Sequence, residues 1–188
     1  MKKIVLTFGL IGGGVMAVLM FGTLPFMHQI GFNRGLIVGY TTIVLSFMLV
    51  FFGIRSYREN VGHGQIGFFR GLGVGFLIML IICAFYVITW EIIYFTIMPD
   101  FVDKYAAFVA DQARASGASQ QAIEAQIQEA RNLKPLLDNP FTNAALTLIE
   151  PLPVGIVITL ISAAVLRRKT KPSNADQIKQ ESLSDSFA

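Results

Sequence analysis

The run GLGVGFLIMLIICAFYVITWEIIYFTI, residues 71–97, decides the fold. Its only charged residue is Glu91. About 20 apolar residues suffice for a helix to cross the ~30 Å hydrocarbon core of a bilayer. Lipid offers nothing to bond a bare peptide group, so a run of this kind is expected to be helical throughout. Three other runs share its character, at residues 4–24, 36–54 and 141–166, and charge gathers between them. The whole chain of 188 residues is 54% hydrophobic and 14% charged, where a soluble domain carries about 25% charge. Four spans consume roughly 80 residues, which leaves one large loop, 98–140, and a tail, 172–188. The fold expected is all-α. Residues 1–171 form an integral membrane four-helix bundle, with an extracytoplasmic two-helix hairpin between spans three and four.

Lys2 and Lys3 ahead of an apolar run also fit a secretory signal peptide. Such a peptide has an apolar core of about 7–15 residues and a small-residue cleavage site. The run 4–24 is longer and no A-x-A follows it, so an uncleaved first span is expected. Orientation follows from the Lys and Arg count. Lys2, Lys3, Arg55, Arg58, Arg70, Arg167, Arg168, Lys169 and Lys171 fall on one side of four spans. The other side receives Arg34 and the large loop. There the acids Asp100, Asp103, Asp111, Glu124, Glu129 and Asp138 outnumber the bases Lys104, Arg114, Arg131 and Lys134. Both termini are therefore expected in the cytoplasm. The net charge of +3 is accounted for by these flanks. Nucleic-acid binding is not expected, because no folded domain presents a clustered basic face. A lone cysteine, Cys83, has no partner for an internal disulfide and reads as a small apolar packing residue.

The large loop is patterned. Phe101, Tyr105 and Phe108 recur at helical spacing. Ser116-Gly117 interrupts the pattern, and Ser119 is placed to cap a second helix running to about Leu133, which Lys134-Pro135 ends. The Pro25–Gly35 segment reads as a short turn, and the Ser/Gln/Asp-rich tail 172–188 as disordered.

Several short motifs, in their order along the chain, resemble a known family. Lys2-Lys3 opens the first span, and Phe52-Gly53-Ile54-Arg55-Ser56-Tyr57-Arg58 closes the second. Tyr86-Val87-Ile88-Thr89-Trp90-Glu91 lies in the third, and Pro99-Asp100-Phe101 opens the loop. Asn139-Pro140-Phe141 precedes a fourth span carrying Glu150-Pro151-Leu152-Pro153-Val154-Gly155. Together they resemble the bacterial membrane-protein family called domain of unknown function 4199, over roughly residues 1–170. The resemblance implies four spans in a bacterial inner membrane. It brings no activity and no catalytic residue.

Ionisable groups inside spans are costly and are the first functional candidates. Glu91 lies 21 residues after Arg70, about 32 Å of helix, and Glu150 lies 17 residues before Arg167, about 26 Å. Both carboxylates are thus expected near the outer boundary of the bilayer, in keeping with Trp90 and Tyr94 close by. The expectation is a polar cluster of Arg34, Tyr40, Thr41 or Thr42, Glu91 and Glu150, with the two carboxylates in one small pocket. It would lock the helices together or hold a proton, cation or polar ligand; otherwise each Glu simply reaches headgroup water. Pro151 and Pro153 should kink the fourth span, since Pro153 cannot bond the carbonyl of Ile149. Gly9, Gly13 and Ala17, and likewise Gly71 and Gly75, form small-residue faces that serve either packing within the chain or a homo-oligomer.

No other chemistry is assembled. His28 and His63 lie in loops on opposite sides and cannot share a metal. Gly71-Leu72-Gly73-Val74-Gly75 follows no strand and is not a nucleotide loop. Ser46 and Ser162 have no base nearby. Asp100 and Asp103 suit a helix start without any cation. No cofactor and no enzyme activity are expected. A structural or accessory protein that binds lipids, or protein partners through loop 98–140, is favoured. A small proton- or cation-coupled transporter or channel component using Glu91 and Glu150 is the alternative.

Overall fold

The computed structural model describes residues 1–168, except for the side chains of residues 27–30, 32 and 33. Lys169, Lys171 and the tail 172–188 lie outside the described residues. The fold is helical. α1 spans Lys2–Thr23, α2 Met27–Asn60, α3 Phe68–Ile92, α4 Phe101–Ala115, α5 Gln120–Asn132, α6 Lys134–Leu137, α7 Pro140–Ile149 and α8 Pro151–Leu166. A π-turn, Ile93–Ile97, extends α3. Three segments are long and apolar enough to cross a membrane: Lys2–Phe26, Arg34–Asn60 and Phe68–Ile97. A fourth forms if α7 and α8, bent by 41°, count together as one broken span.

The break comes where proline requires it. α7 ends at Ile149, Glu150 stands between the helices, and Pro151 occupies the first turn of α8, where a missing N–H costs nothing. The segment 25–35, expected as a turn, is instead largely helical. Its reversal is confined to Gly31, with φ 68° and ψ 167° inside α2, a conformation open to glycine and strained for other residues.

Close helix contact runs through glycine. A Cβ on Gly9 would stand 2.7 Å from the Ile81 side chain, and one on Gly13 2.4 Å from Phe85. These pairings, nine with 81 and thirteen with 85, make α1 and α3 parallel neighbours. Gly53 of α2 meets Ile78 and Phe8, whereas Gly12 meets Ile82 and the Ser46 carbonyl, so α2 runs antiparallel to both. Gly155 against Met79, and Gly71 against Ala163, place α8 antiparallel to α3. A core of Met16, Phe47, Ile54, Ile78, Met79, Ile82 and Cys83 fills the space between them. The outer faces carry Leu10, Ile37, Val44, Phe76, Ile88, Val157 and Val165, all exposed. That is an inverted surface for water and a suitable one for lipid.

The connections occupy the two ends. One end gathers Lys2, Lys3, Arg55, Arg58, Arg70, Arg167 and Arg168, where an Arg168 N–H to Ile66 carbonyl bond of 3.1 Å ties the 61–67 loop to the end of α8. The opposite end holds α4 to α7. Ala110 and Ala113 of α4 pack on Ile123 of α5. The reversal between them uses Gly117 at φ 77°, and Ser119 Oγ accepts from the Ala122 N–H at 3.3 Å to start α5. α6 replaces the expected clean stop at Lys134-Pro135.

Candidate functional site

The site lies at the end of the helices that carries α4. Every fourth residue of α3 from Tyr86 presents an aromatic ring with a polar tip: Tyr86, Trp90 and, in the π-turn, Tyr94. Spacing of four places them along one face. Each tip reaches across to the segment 138–150. Tyr86 Oη donates to Glu150 Oε2 at 2.6 Å. Trp90 Nε1 donates to Asn143 Oδ1 at 3.1 Å. Tyr94 Oη donates to Asp138 Oδ1 at 2.9 Å, and Lys134 pairs with the same carboxylate at 3.4 Å.

Asn143 is the hub of this seam. It is fully buried. Its Oδ1 also accepts from Thr147 Oγ1 at 3.1 Å, and its Nδ2 donates to the Leu137 carbonyl at 2.9 Å. Both ends of the amide are thus satisfied, as burial demands. Asn139 begins α7 by accepting from the Phe141 N–H at 3.0 Å, which sets Asn143 one turn in and facing α3.

Beside the seam is a cavity of about 400 Å³. Its walls come from the end of α1 (Met20, Thr23, Leu24), the start of α2 (Leu36, Gly39, Thr42), α3 (Tyr86, Trp90, Ile93), α4 (Phe101, Tyr105) and the 137–150 region (Leu137, Leu146, Thr147, Glu150). The lining is mostly apolar. Glu150 is its only charged residue among the described residues. The rings are in mutual contact: Trp90 and Phe101 meet edge to face at 5.1 Å, and Phe101 stacks on Tyr105 at 6.3 Å. The cavity is partly open rather than enclosed.

Of the sequence-derived cluster, the structure brings Thr42 and Glu150 to this one cavity. The other members stand apart from its walls. Glu91 is one residue on from Trp90 and so turned about 100° away from it. Its Oε1 is buried with no hydrogen-bond partner among the described residues. The shared pocket for Glu91 and Glu150 is therefore replaced by two separate environments, because helical periodicity sends positions 90 and 91 to different faces. Arg34 and Tyr40 are exposed, and Thr41 Oγ1 bonds the Ile37 carbonyl of its own helix at 2.7 Å. Pro151 is buried at the bend and Pro153 is exposed one turn-half further on. Gly9, Gly13, Gly71 and Gly75 pack against other helices of the same chain, and Ala17 is half-buried.

Sequence reasoning passed over Tyr86, Asn143, Thr147 and Asp138. One signal was available. The 86, 90, 94 spacing aligns three polar-tipped rings along a single helix face, and such tips need partners when buried.

The chain matches no curated protein and no solved structure. The sequence model of one family matches residues 7–168, across all four apolar segments, the polar seam and the cavity walls. This chain belongs to that family, described as protein of unknown function (DUF4199).

Proposed function

We propose that the chain is a non-enzymatic accessory protein of a bacterial inner membrane that binds lipid-like molecules in the cavity beneath α4. In this reading it crosses the bilayer four times as a helical bundle, the bent pair α7–α8 being the last span. Both termini are cytoplasmic, and segment 98–140 forms a helical hairpin outside. The gathering of Arg55, Arg58, Arg70, Arg167 and Arg168 at one end supports that orientation.

The observation that carries the reading is the cavity itself. A largely apolar space of about 400 Å³ with a few polar groups has the size and make-up of a small-molecule site. With the orientation proposed above, the cavity lies at the depth of the outer leaflet, where an amphiphile would meet it. A role in proton or cation transport through Glu91 and Glu150 together finds less support, because they line no common space. Protein partners of loop 98–140 and homo-oligomers are not needed for the site. The small-residue faces of α1 and α3 are already covered within the chain.

Trp90 is the chain's one tryptophan and stands on the cavity wall, so occupancy is directly readable. Titration of the purified protein with 12-bromododecanol in unbrominated detergent should quench its emission saturably. Gly39 stands on the cavity wall and a Cβ there meets nothing within 4 Å, so Gly39→Leu is the substitution chosen to take up cavity space. It should weaken the quenching at least fivefold. Quenching that never saturates, or that Gly39→Leu leaves untouched, would remove the reading.

A further inference from the structure

Resting on the cavity reading, we infer that the ligand is a compact, single-tailed amphiphile bearing an ammonium group, held by the Glu150 carboxylate and the surrounding rings. Three observations carry this. Glu150 is the only charge on the wall among the described residues. One of its oxygens is taken by Tyr86, and no Lys or Arg forms an ion pair with it among the described residues. A carboxylate in an apolar space is stabilised by a cation or a proton, and the Tyr86 hydroxyl supplies one neutral bond only.

The rings give the second reason. Trp90, Phe101 and Tyr105 form a continuous aromatic wall on the cavity that Tyr86 and Glu150 also line. Ring faces attract cations within about 6 Å, tryptophan most strongly. Aromatic walls beside one carboxylate favour an ammonium group over a neutral hydroxyl and repel an anion. Size gives the third reason. About 400 Å³ is near the lower end of the range for drug-sized ligands, about 300–1,000 Å³. It suits one short tail and a small head better than a two-chained phospholipid.

The test uses three probes with the same brominated tail: 12-bromododecyltrimethylammonium, 12-bromododecanol and 12-bromododecanoate, each read by Trp90 quenching. The wild-type protein should bind the cation at least tenfold more tightly than the alcohol, and the anion least. Glu150→Gln keeps shape and removes charge. It should bring the cation to within about twofold of the alcohol. Equal affinities for cation and alcohol in the wild-type protein, or a cation preference that survives Glu150→Gln, overturn the inference while leaving an amphiphile site in place. Failure of all three probes to quench saturably removes the cavity reading itself. The wild-type order of the three heads decides the matter even if Glu150→Gln does not fold.

Discussion

At the scale of single residues, the structure is decided by where polar tips go. Asn143 could not be buried unless both ends of its amide were bonded, since an unpaired buried donor or acceptor costs about 1–3 kcal/mol. It meets that demand with Trp90, Thr147 and the Leu137 carbonyl. Asn143→Ala removes the acceptor shared by Trp90 Nε1 and Thr147 Oγ1 and the donor to the Leu137 carbonyl. We expect a loss of about 1–3 kcal/mol, measured as a lower unfolding midpoint in detergent, together with a shift in Trp90 emission. An unchanged midpoint would mean that water takes over the role of the amide. Glu91 is the contrasting case. Its buried oxygen has no partner among the described residues, yet it lies one position away from the residue that anchors the seam.

At the scale of elements, glycine sets the distances and proline sets the bend. α1 lies on α3 because Gly9, Gly12 and Gly13 leave room for Ile81, Ile82 and Phe85. With no apolar driving force between helices in lipid, such close packing does much of the holding. Gly13→Leu would drive a side chain into the Phe85 ring, whose nearest atom is 2.4 Å from a Cβ placed there. Overpacking of this kind costs about 1–3 kcal/mol. A Cβ on the neighbouring Gly14 meets nothing within 4 Å, so Gly14→Ala should hold or raise stability. Equal melting temperatures for the two variants would show that the α1–α3 contact is looser than drawn. The bend at Glu150 does different work. By ending α7 and restarting as α8, it swings the helix carrying Asn143 toward α3 and leaves the Glu150 carboxylate at the corner, aimed at Tyr86.

At the scale of the whole molecule, sidedness depends on whether α7 and α8 together cross the bilayer. If they do, both chain ends share one side; if they do not, the ends are separated. In a Cys83→Ala background, a cysteine at Ser116 should react with a membrane-impermeant maleimide in intact cells. A reporter fused after Lys171 should behave as cytoplasmic. A reporter at that point found outside would reduce the spans to three and reverse the fate of the C-terminus.

Much of this was legible in the chain itself. Long, almost uncharged runs such as 71–97 determine helices, because in a bilayer only internal hydrogen bonding satisfies a backbone. The basic flanks and the Ser119 cap were equally local signals, and so was the break near Pro151. The site was only half legible. Glu150 and Thr42 were marked by polarity alone. The Tyr86 bond to Glu150, the Trp90–Asn143 pair beside it and the exclusion of Glu91 depend on how each helix is rotated about its axis. That rotation is set by contacts such as Gly13 with Phe85 and Gly155 with Met79, between residues far apart in sequence. The sequence by itself therefore determined where the long apolar helices lie, though not the helical course of 25–35 or α6. Only the tertiary structure decided which faces meet and enclose the cavity, because rotation and register come from side-chain packing summed over all the helices at once.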